Sequence, residues 1–278
     1  MNKLFIWGES GFIGNILKKH FHKQSLSINL IGRGIKCHHT IDLASDTSIP
    51  KSIDQNSIVF FLSAISSPDI CNDNSSIAKK INLTNTSIVI SKILDIGATV
   101  IFFSTDLIYG NSNKIFIETS SPDPKTNYSL WKYMVEKRFS NYNNFKTIRL
   151  SYLCDINDKF TSFLINSKKD NIVEIYDPFY RSMIHSDDFL KIIDLYIKDK
   201  SLMPNILNVC GQQCISRLEY VKSFSNYINL KWKSVNMPEE FKINRPERIE
   251  LNSLYIRSLI SYSWSNPGDG IIQQIKND

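Results

Sequence analysis

The sequence predicts an α/β fold, a doubly wound parallel sheet with a smaller, interwoven C-terminal lobe. Three observations lead there. Short β-branched or aromatic runs alternate with longer helix-like segments through the first half of the chain. Those runs are apolar throughout, as in a sheet covered on both faces. A glycine-rich turn joins the first such run to the first helical pattern.

Taken in order, "KLFIW" (3–7), "INLIG" (28–32), "SIVFFLS" (57–63) and "TVIFFS" (99–104) read as strands, and helical patterns lie around 12–22, 74–95 and 126–142. After "KTIRLSY" (146–152) the alternation loosens. "VEIYDPFYRSMIH" is followed by the helix-like "SDDFLKIIDLYIK", then "NILNVC" and "INRPERIELNSLYIRSLI". No sharp linker divides the chain. The expected division is a first domain over 1–152, with a return to the sheet at about 183–210, and a second lobe over 153–182 and 211–278.

With 42% hydrophobic and 22% charged residues over 278 positions, the composition is that of an ordinary globular protein with a sizeable core. No apolar run approaches the roughly 20 residues of a membrane span. The N-terminus enters a strand without a signal-peptide pattern, so a cytoplasmic protein is expected. The formal charge of +6 is diffuse and does not interleave basic residues with aromatics, which points to a small anionic ligand rather than nucleic acid. The five cysteines are odd in number, and "CGQQC" has CxxxC spacing, so they are expected to be reduced structural thiols. The five histidines form no HxxxH or HExxH pattern, and no catalytic metal is expected. Neither a Gly-x-Ser-x-Gly elbow nor a P-loop is present, and there is no internal repeat.

The loop "GESGFIG" places Gly8, Gly11 and Gly14 directly after the first strand. Gly8 would open the turn, Gly11 would admit a pyrophosphate, and Gly14 would let helix and strand approach. Ser10, Phe12 and Ile13 complete the loop, and a helix starting near Phe12 offers unpaired N–H groups to phosphate. The GxxGxxG spacing by itself fits a plain strand-to-helix turn equally well.

Cofactor choice is read at the end of the second strand, where an acid binds the ribose 2′-hydroxyl and a base receives a 2′-phosphate. "NLIGRGIK" has no acid there but offers Arg33 and Lys36, so NADPH is expected over NADH. Asp42, followed by Leu43, would bond the adenine amino group or serve as a turn acid. Ser63 and Ala64 in "FFLSAISS" are small where bulk would block a cofactor, although packing explains small residues equally. Ser66 follows on the substrate side.

"NYSLWK" sets Tyr128 and Lys132 four apart, on one helical face. An ammonium beside a phenol favours the phenolate, lowering its pKa from about 10 toward the working range and fitting it for proton exchange with a carbinol oxygen. Chance matches to YxxxK are common, but this one follows a glycine-rich turn, four strand patterns and "FFSTD". There Ser104, Thr105 and Asp106 end a strand, where open α/β sheets bind ligands.

With "GESGFIG", "STDLIYG", the Tyr128–Lys132 pair and "IRLSY", the chain resembles the extended short-chain dehydrogenase/reductases, which have a Rossmann fold. "FSTDLIYG", "ETSSPDPKTNYSLWKYMVEK" and "NRPERIELNSLYI" make it most similar to the dTDP-4-dehydrorhamnose reductase family. The resemblance implies that Tyr128 protonates a sugar C4 oxygen during hydride transfer. It implies that Lys132 lowers the tyrosine pKa and holds the nicotinamide ribose, that Thr105 binds the reacting oxygen, and that Asp106 helps position or protonate the substrate.

The activity so implied is NADPH-dependent reduction of a nucleotide-diphosphate 4-keto-6-deoxy sugar, with the product used for a surface polysaccharide. The alternatives are a 4-epimerase that retains NAD and a non-catalytic dinucleotide-binding subunit. A homodimer is a further implication. Leu107, after Asp106, favours reduction or epimerisation over dehydration, and Tyr152 stands where the family often has tryptophan. Arg245 and Arg248, in a proline-marked loop, would take the substrate diphosphate or lie in solvent. Arg181 would line the substrate pocket or lie on the surface, and His185 precedes a capped helix with no catalytic part.

Overall fold

The computed structural model describes residues 3–34, 37–167, 171–199, 201, 203–256 and 265–277. The chain forms two compact units. Unit 1 comprises Met1–Ile108, Pro122–Arg149 and Asp194–Leu207, and unit 2 comprises Tyr109–Ser121, Leu150–Ile193 and Asn208–Asp278.

A seven-stranded sheet is built from β1 (Lys3–Trp7), β2 (Ile28–Gly32), β3 (His39–Thr40), β4 (Ser57–Phe61), β5 (Thr99–Thr105), β6 (Phe145–Leu150) and β7 (Ile206–Val209). Its order is β7-β6-β5-β4-β1-β2-β3. The pairings of β1 with β2 and β4, of β2 with β3 and of β4 with β5 are parallel. Continuous apolar strands need cover on both faces, and all five residues of β4 are buried. Helix α1 (Phe12–Lys23) covers one face through Gly14, Leu17 and Phe21, with the Phe21 and Phe60 rings 5.4 Å apart.

The helix expected over 74–95 is continuous from Ser75 to Asp95, as α3 (Ser75–Lys79), a π-helical stretch (Lys80–Asn85) and α4 (Thr86–Asp95), and a short helix α2 (Pro68–Asp73) precedes it. Buried polar side chains account for the π-helical stretch. Asn82 bonds the N–H and C=O of Ile65 at 2.8 and 2.9 Å, and Asn85 donates to the carbonyl of Leu43. The wider turn brings both amides inward. Helix α5 (Asn127–Phe139) starts at a capping box in which Thr126 and Ser129 satisfy each other's backbone N–H. It buries Trp131, Lys132, Val135, Glu136 and Phe139.

Unit 2 holds a small sheet in the order Ile215–Ser216, Tyr180–Arg181, Arg248–Leu251, Ile115–Phe116. Strands Val173–Asp177 and Trp232–Asn236 pair in parallel. Helices α6 (Lys159–Ile165), α8 (Arg217–Ser225) and α10 (Pro267–Asn277) pack here, with α7 (Ser186–Lys198) and α9 (Glu239–Asn244) between them in sequence. Cys154, Leu164, Tyr220, Phe224 and Ile271 form its core. The segment Tyr109–Ser121, expected with the first domain, belongs to unit 2. Ile115–Phe116 pairs with Glu250–Leu251, and the buried Glu118 carboxylate accepts from Asn208 N, Ser253 Oγ and Leu254 N.

Candidate active site

Strand order reverses between β1 and β4, and a cavity of about 280 Å³ opens there, at the carboxyl ends of the strands. Gly8 at φ +99° turns the chain out of β1, a conformation closed to most L residues. A Cβ on Gly8 would come within 2.8 Å of Ser63 N, and one on Gly14 within 2.4 Å of Gly8 O, so both positions require glycine. Gly11 is the N-cap of α1 and supplies no side-chain cap, which leaves first-turn N–H groups for a phosphate. Asn15 pins the loop by donating to the carbonyls of Ser10 and Gly11.

Of the predicted cofactor contacts, Gly8, Ser10, Gly11, Arg33, Asp42, Leu43, Ser63 and Ala64 line this cavity. Phe12, Ile13 and Gly14 form the start of α1, and Lys36 lies outside the described residues. Asp42 also holds its own turn, accepting from Ala44 N at 3.0 Å.

Sequence reasoning missed Glu9. Its buried carboxylate lies under the end of β2, where a Cβ on Gly32 or Gly34 would stand 3.3 or 3.2 Å from Oε1. Cys37 Sγ donates to it at 3.1 Å, and Lys18 Nζ is 3.5 Å away. Burial and the Glu9 carboxylate push the Cys37 thiol above its ordinary pKa.

At the end of β5, Ser104, Thr105 and Asp106 are all buried. Thr105 Oγ1 donates to Asp106 Oδ1 at 3.3 Å and accepts from Leu107 N at 3.2 Å. From α5, Lys132 Nζ donates to Phe103 O at 2.7 Å and lies 4.5 Å from the Phe102 ring centroid and 6.0 Å from that of Tyr128. Unit 1 therefore brings the strand end and the helix pair into one corner. The Tyr128 ring packs with Cys71, Ala78 and Trp131, in a cluster joined by Ile65 of the cavity wall. Its hydroxyl has no hydrogen-bond partner among the described residues. Asn82, whose inward turn the sequence signalled only as a polar residue in an apolar helical pattern, holds Ile65 and bonds Cys71 Sγ at 3.5 Å.

The electrostatics correct one expectation. Burial, with Cys71 and Asp106 adding to it, raises the Tyr128 pKa above the ordinary phenol value rather than lowering it. Burial pushes Lys132 down to about 8, against the pull of Glu136 one turn along α5. Desolvation of both groups outweighs the attraction of the ammonium for a phenolate. Glu136 is itself buried and accepts from Arg149 Nε and Nη2 at 3.1 and 2.8 Å.

The substrate-side residues fare unevenly. Ser66 is exposed in the loop before α2. The Tyr152 hydroxyl donates to Asp158 Oδ1 at 2.9 Å. Arg181 does not lie on the surface: it is 3% exposed and donates to the carbonyls of Tyr180 and Pro246 at 2.6 and 2.8 Å. Arg248 pairs with Glu250, and Arg245 lies over the Phe241 ring at 4.3 Å. Arg217, which the sequence reading passed over, packs against Phe160 and Phe179. His185 is buried, its Nδ1 accepting from Asp187 N at 3.3 Å. All five cysteines are free thiols. Among the described residues, no group of three or more His, Cys, Asp or Glu could hold a metal, and no helix is long and apolar enough to cross a membrane.

Known proteins share sequence and fold with this chain. GDP-6-deoxy-D-talose 4-dehydrogenase from Aggregatibacter actinomycetemcomitans is 25% identical over 150 residues, 52% of this chain. The match spans half the length of that curated relative. Among solved structures, dTDP-4-dehydrorhamnose reductase from Bacillus anthracis in complex with NADP has a TM-score of 0.83 at 18% identity, covering 100% of this chain and 99% of its own. MoeE5 in complex with UDP-glucose and NAD has a TM-score of 0.82 at 16% identity, covering 99% and 98%. These two likenesses establish the Rossmann-type fold. The RmlD substrate binding domain matches residues 1–230, and the chain belongs to that family.

Proposed function

We propose that this protein is an NADPH-dependent reductase acting on the 4-keto group of a nucleotide-diphosphate 4-keto-6-deoxy sugar, a step toward a deoxysugar of a surface polysaccharide. The observation that carries this reading is the unpartnered Tyr128 hydroxyl, one helical turn from a buried Lys132 and beside the Thr105–Asp106 strand end. The names of the dehydrogenase relative and of the B. anthracis reductase both concern position 4 of a nucleotide-linked sugar, which supports the same substrate class.

The glycine loop, the uncapped start of α1 and the β1–β4 cavity fit a dinucleotide, which when bound in reduced form supplies a hydride. Arg33, exposed at the cavity, supports NADPH, since the nearby Glu9 carboxylate is already engaged by Cys37 and Lys18. Tyr128, kept protonated by its surroundings, donates its phenolic proton to the carbonyl oxygen as charge develops there. Thr105 Oγ1 and the Lys132 ammonium stabilise that oxygen and the departing phenolate. The dinucleotide belongs to unit 1 on this reading, and Tyr152, Arg245 and Arg248 are assigned to the nucleotide sugar. The active species on this reading is a homodimer.

The test mixes the protein with NADPH or NADH and dTDP-, CDP- and GDP-4-keto-6-deoxy sugars, following loss of reduced-nicotinamide absorbance. Consumption with one sugar, faster with NADPH and reduced about 10²-fold or more in Tyr128→Phe with NADPH binding intact, is the expected result. NADPH binding without consumption of any sugar would overturn the reading, and C4-inverted sugar with no net consumption would make the chain an epimerase.

A further inference from the structure

We propose that Glu9 and Lys18 form a charge pair beneath the end of β2 that sets the choice between a 2′-phosphorylated and an unphosphorylated dinucleotide. The inference rests on the dinucleotide site proposed above and assigns its selectivity to two residues that the sequence reading left without a part.

The argument begins with where Glu9 puts its side chain. Its neighbours Gly8, Ser10 and Gly11 line the cavity, whereas Glu9 is 6% exposed. An acid before a helix commonly caps it, but the N-cap of α1 is Gly11, with no side-chain cap and no acid in the first turn. The carboxylate goes instead under the end of β2. A Cβ on Gly32 would stand 3.3 Å from Glu9 Oε1, and one on Gly34 3.2 Å, so the two glycines leave the carboxylate the room that side chains would fill. Arg33 lies between them, exposed, and lines the cavity with Gly32. All of these residues belong to unit 1.

Two groups meet the carboxylate. Cys37 Sγ donates to Oε1 at 3.1 Å, and Lys18 Nζ, from the second turn of α1, lies 3.5 Å from Oε2. The Glu9 side chain is 8% exposed and that of Lys18 28%, so the carboxylate has lost most of its hydration and the ammonium is its main counter-charge. Cys37 feels both. Burial first, then Glu9, pushes its thiol up, while Lys18 acts the other way. Asp42, the other acid at this end of the cavity, holds its own turn through Ala44 N.

A phosphate monoester carries about 1.5 to 2 negative charges at pH 7. A carboxylate under the backbone that carries Arg33 repels such a group, and an ammonium beside that carboxylate cancels the repulsion. With the pair intact, the attraction of Arg33 for a 2′-phosphate prevails. A dinucleotide with a 2′-hydroxyl is nearly indifferent to either charge. The pair therefore acts on the difference between the two affinities, which is what selectivity measures.

The test is fluorescence titration of the full chain with NADPH and NADH, and calorimetric titration with adenosine 2′,5′-bisphosphate and AMP, in wild type, Glu9→Gln and Lys18→Met. Glu9→Gln keeps the shape and an acceptor for Cys37. It is expected to raise the ratio of NADPH to NADH affinity about 3- to 10-fold, and Lys18→Met to lower it about as much, with the same signs for the two adenosine phosphates. Lys18→Met keeps the test decisive if the glutamine variant fails to fold. A role confined to supporting the loop would weaken both dinucleotides together, so unchanged ratios, or shifts of the same sign in the two variants, would overturn the proposal. Tighter NADH than NADPH binding by wild type, with opposite shifts in the variants, would sink the NADPH preference and leave the charge pair standing. An NADPH preference that neither variant alters would do the reverse, and a wild type that binds neither dinucleotide would overturn both.

Discussion

Tyr128 and Lys132 were legible as a pair because their spacing is a property of the helix, but their ionisation was not. An i,i+4 separation puts two side chains on one face whatever surrounds them. A pKa depends on which groups the fold desolvates, and here burial drives the tyrosine up and the lysine down to about 8. The lysine shift carries a pH signature. Between about 8 and the unfolded value near 10.5 the unfolded chain binds a proton that the native chain does not, so native stability rises with pH across that window. Below about 8 the cost of holding a buried ammonium is present in full. Lys132→Met should therefore be inactive yet more stable than wild type at pH 7, and lose that margin as pH rises toward 10. Urea unfolding at pH 7 and pH 9.5 measures it, and a margin that grows with pH would contradict the assignment. Arg217 shows the opposite case at this scale: nothing in its sequence neighbourhood marks it, because its two rings come from residues 38 and 57 positions away.

At the scale of elements, the glycine loop was the most readable feature. Apolar strand, glycines and amphipathic helix are all local, and the cavity lies where they meet. Gly14 is the sharpest test of that reading. Its missing Cβ would stand 2.4 Å from Gly8 O and 2.9 Å from Glu9 backbone atoms, which cannot swing away as a side chain would. Gly14→Ala should cost roughly 1–3 kcal/mol by overpacking and weaken NADPH binding as the loop is pushed outward; thermal melts and a fluorescence titration check both. Unchanged melting and affinity would mean that α1 does not need its close approach to β1. The helix read over 74–95 formed, and two departures accompany it, a short helix before it with a visible local cause and a π-helical stretch within it with a distant one. "SSPD" carries the Ser67 cap and Pro68 at the first helical turn. The π-helical turn at Lys80–Asn85 depends on Asn82 and Asn85 finding Ile65 and Leu43, partners supplied only by the folded sheet.

At the scale of the whole molecule, the segment Tyr109–Ser121 leaves the sheet for unit 2, held there by Glu118. Its carboxylate accepts from Asn208 N, Ser253 Oγ and Leu254 N, so Glu118→Ala leaves buried donors without partners. A loss of roughly 3 kcal/mol or more is expected, read as a lower denaturation midpoint, and an unchanged midpoint would refute this role for the carboxylate. By itself, the sequence determined the alternation of strands and helices, the glycine turn, the Thr105 strand end and the Tyr128–Lys132 pair, because each rests on periodicity or spacing within about a dozen residues. The tertiary structure alone decided that Glu9 lies under the end of β2, that Arg181 is buried on two backbone carbonyls, and that burial sets the Tyr128 and Lys132 pKa values. Those outcomes depend on desolvation and on partners far apart in the chain, and neither quantity exists until the chain has folded.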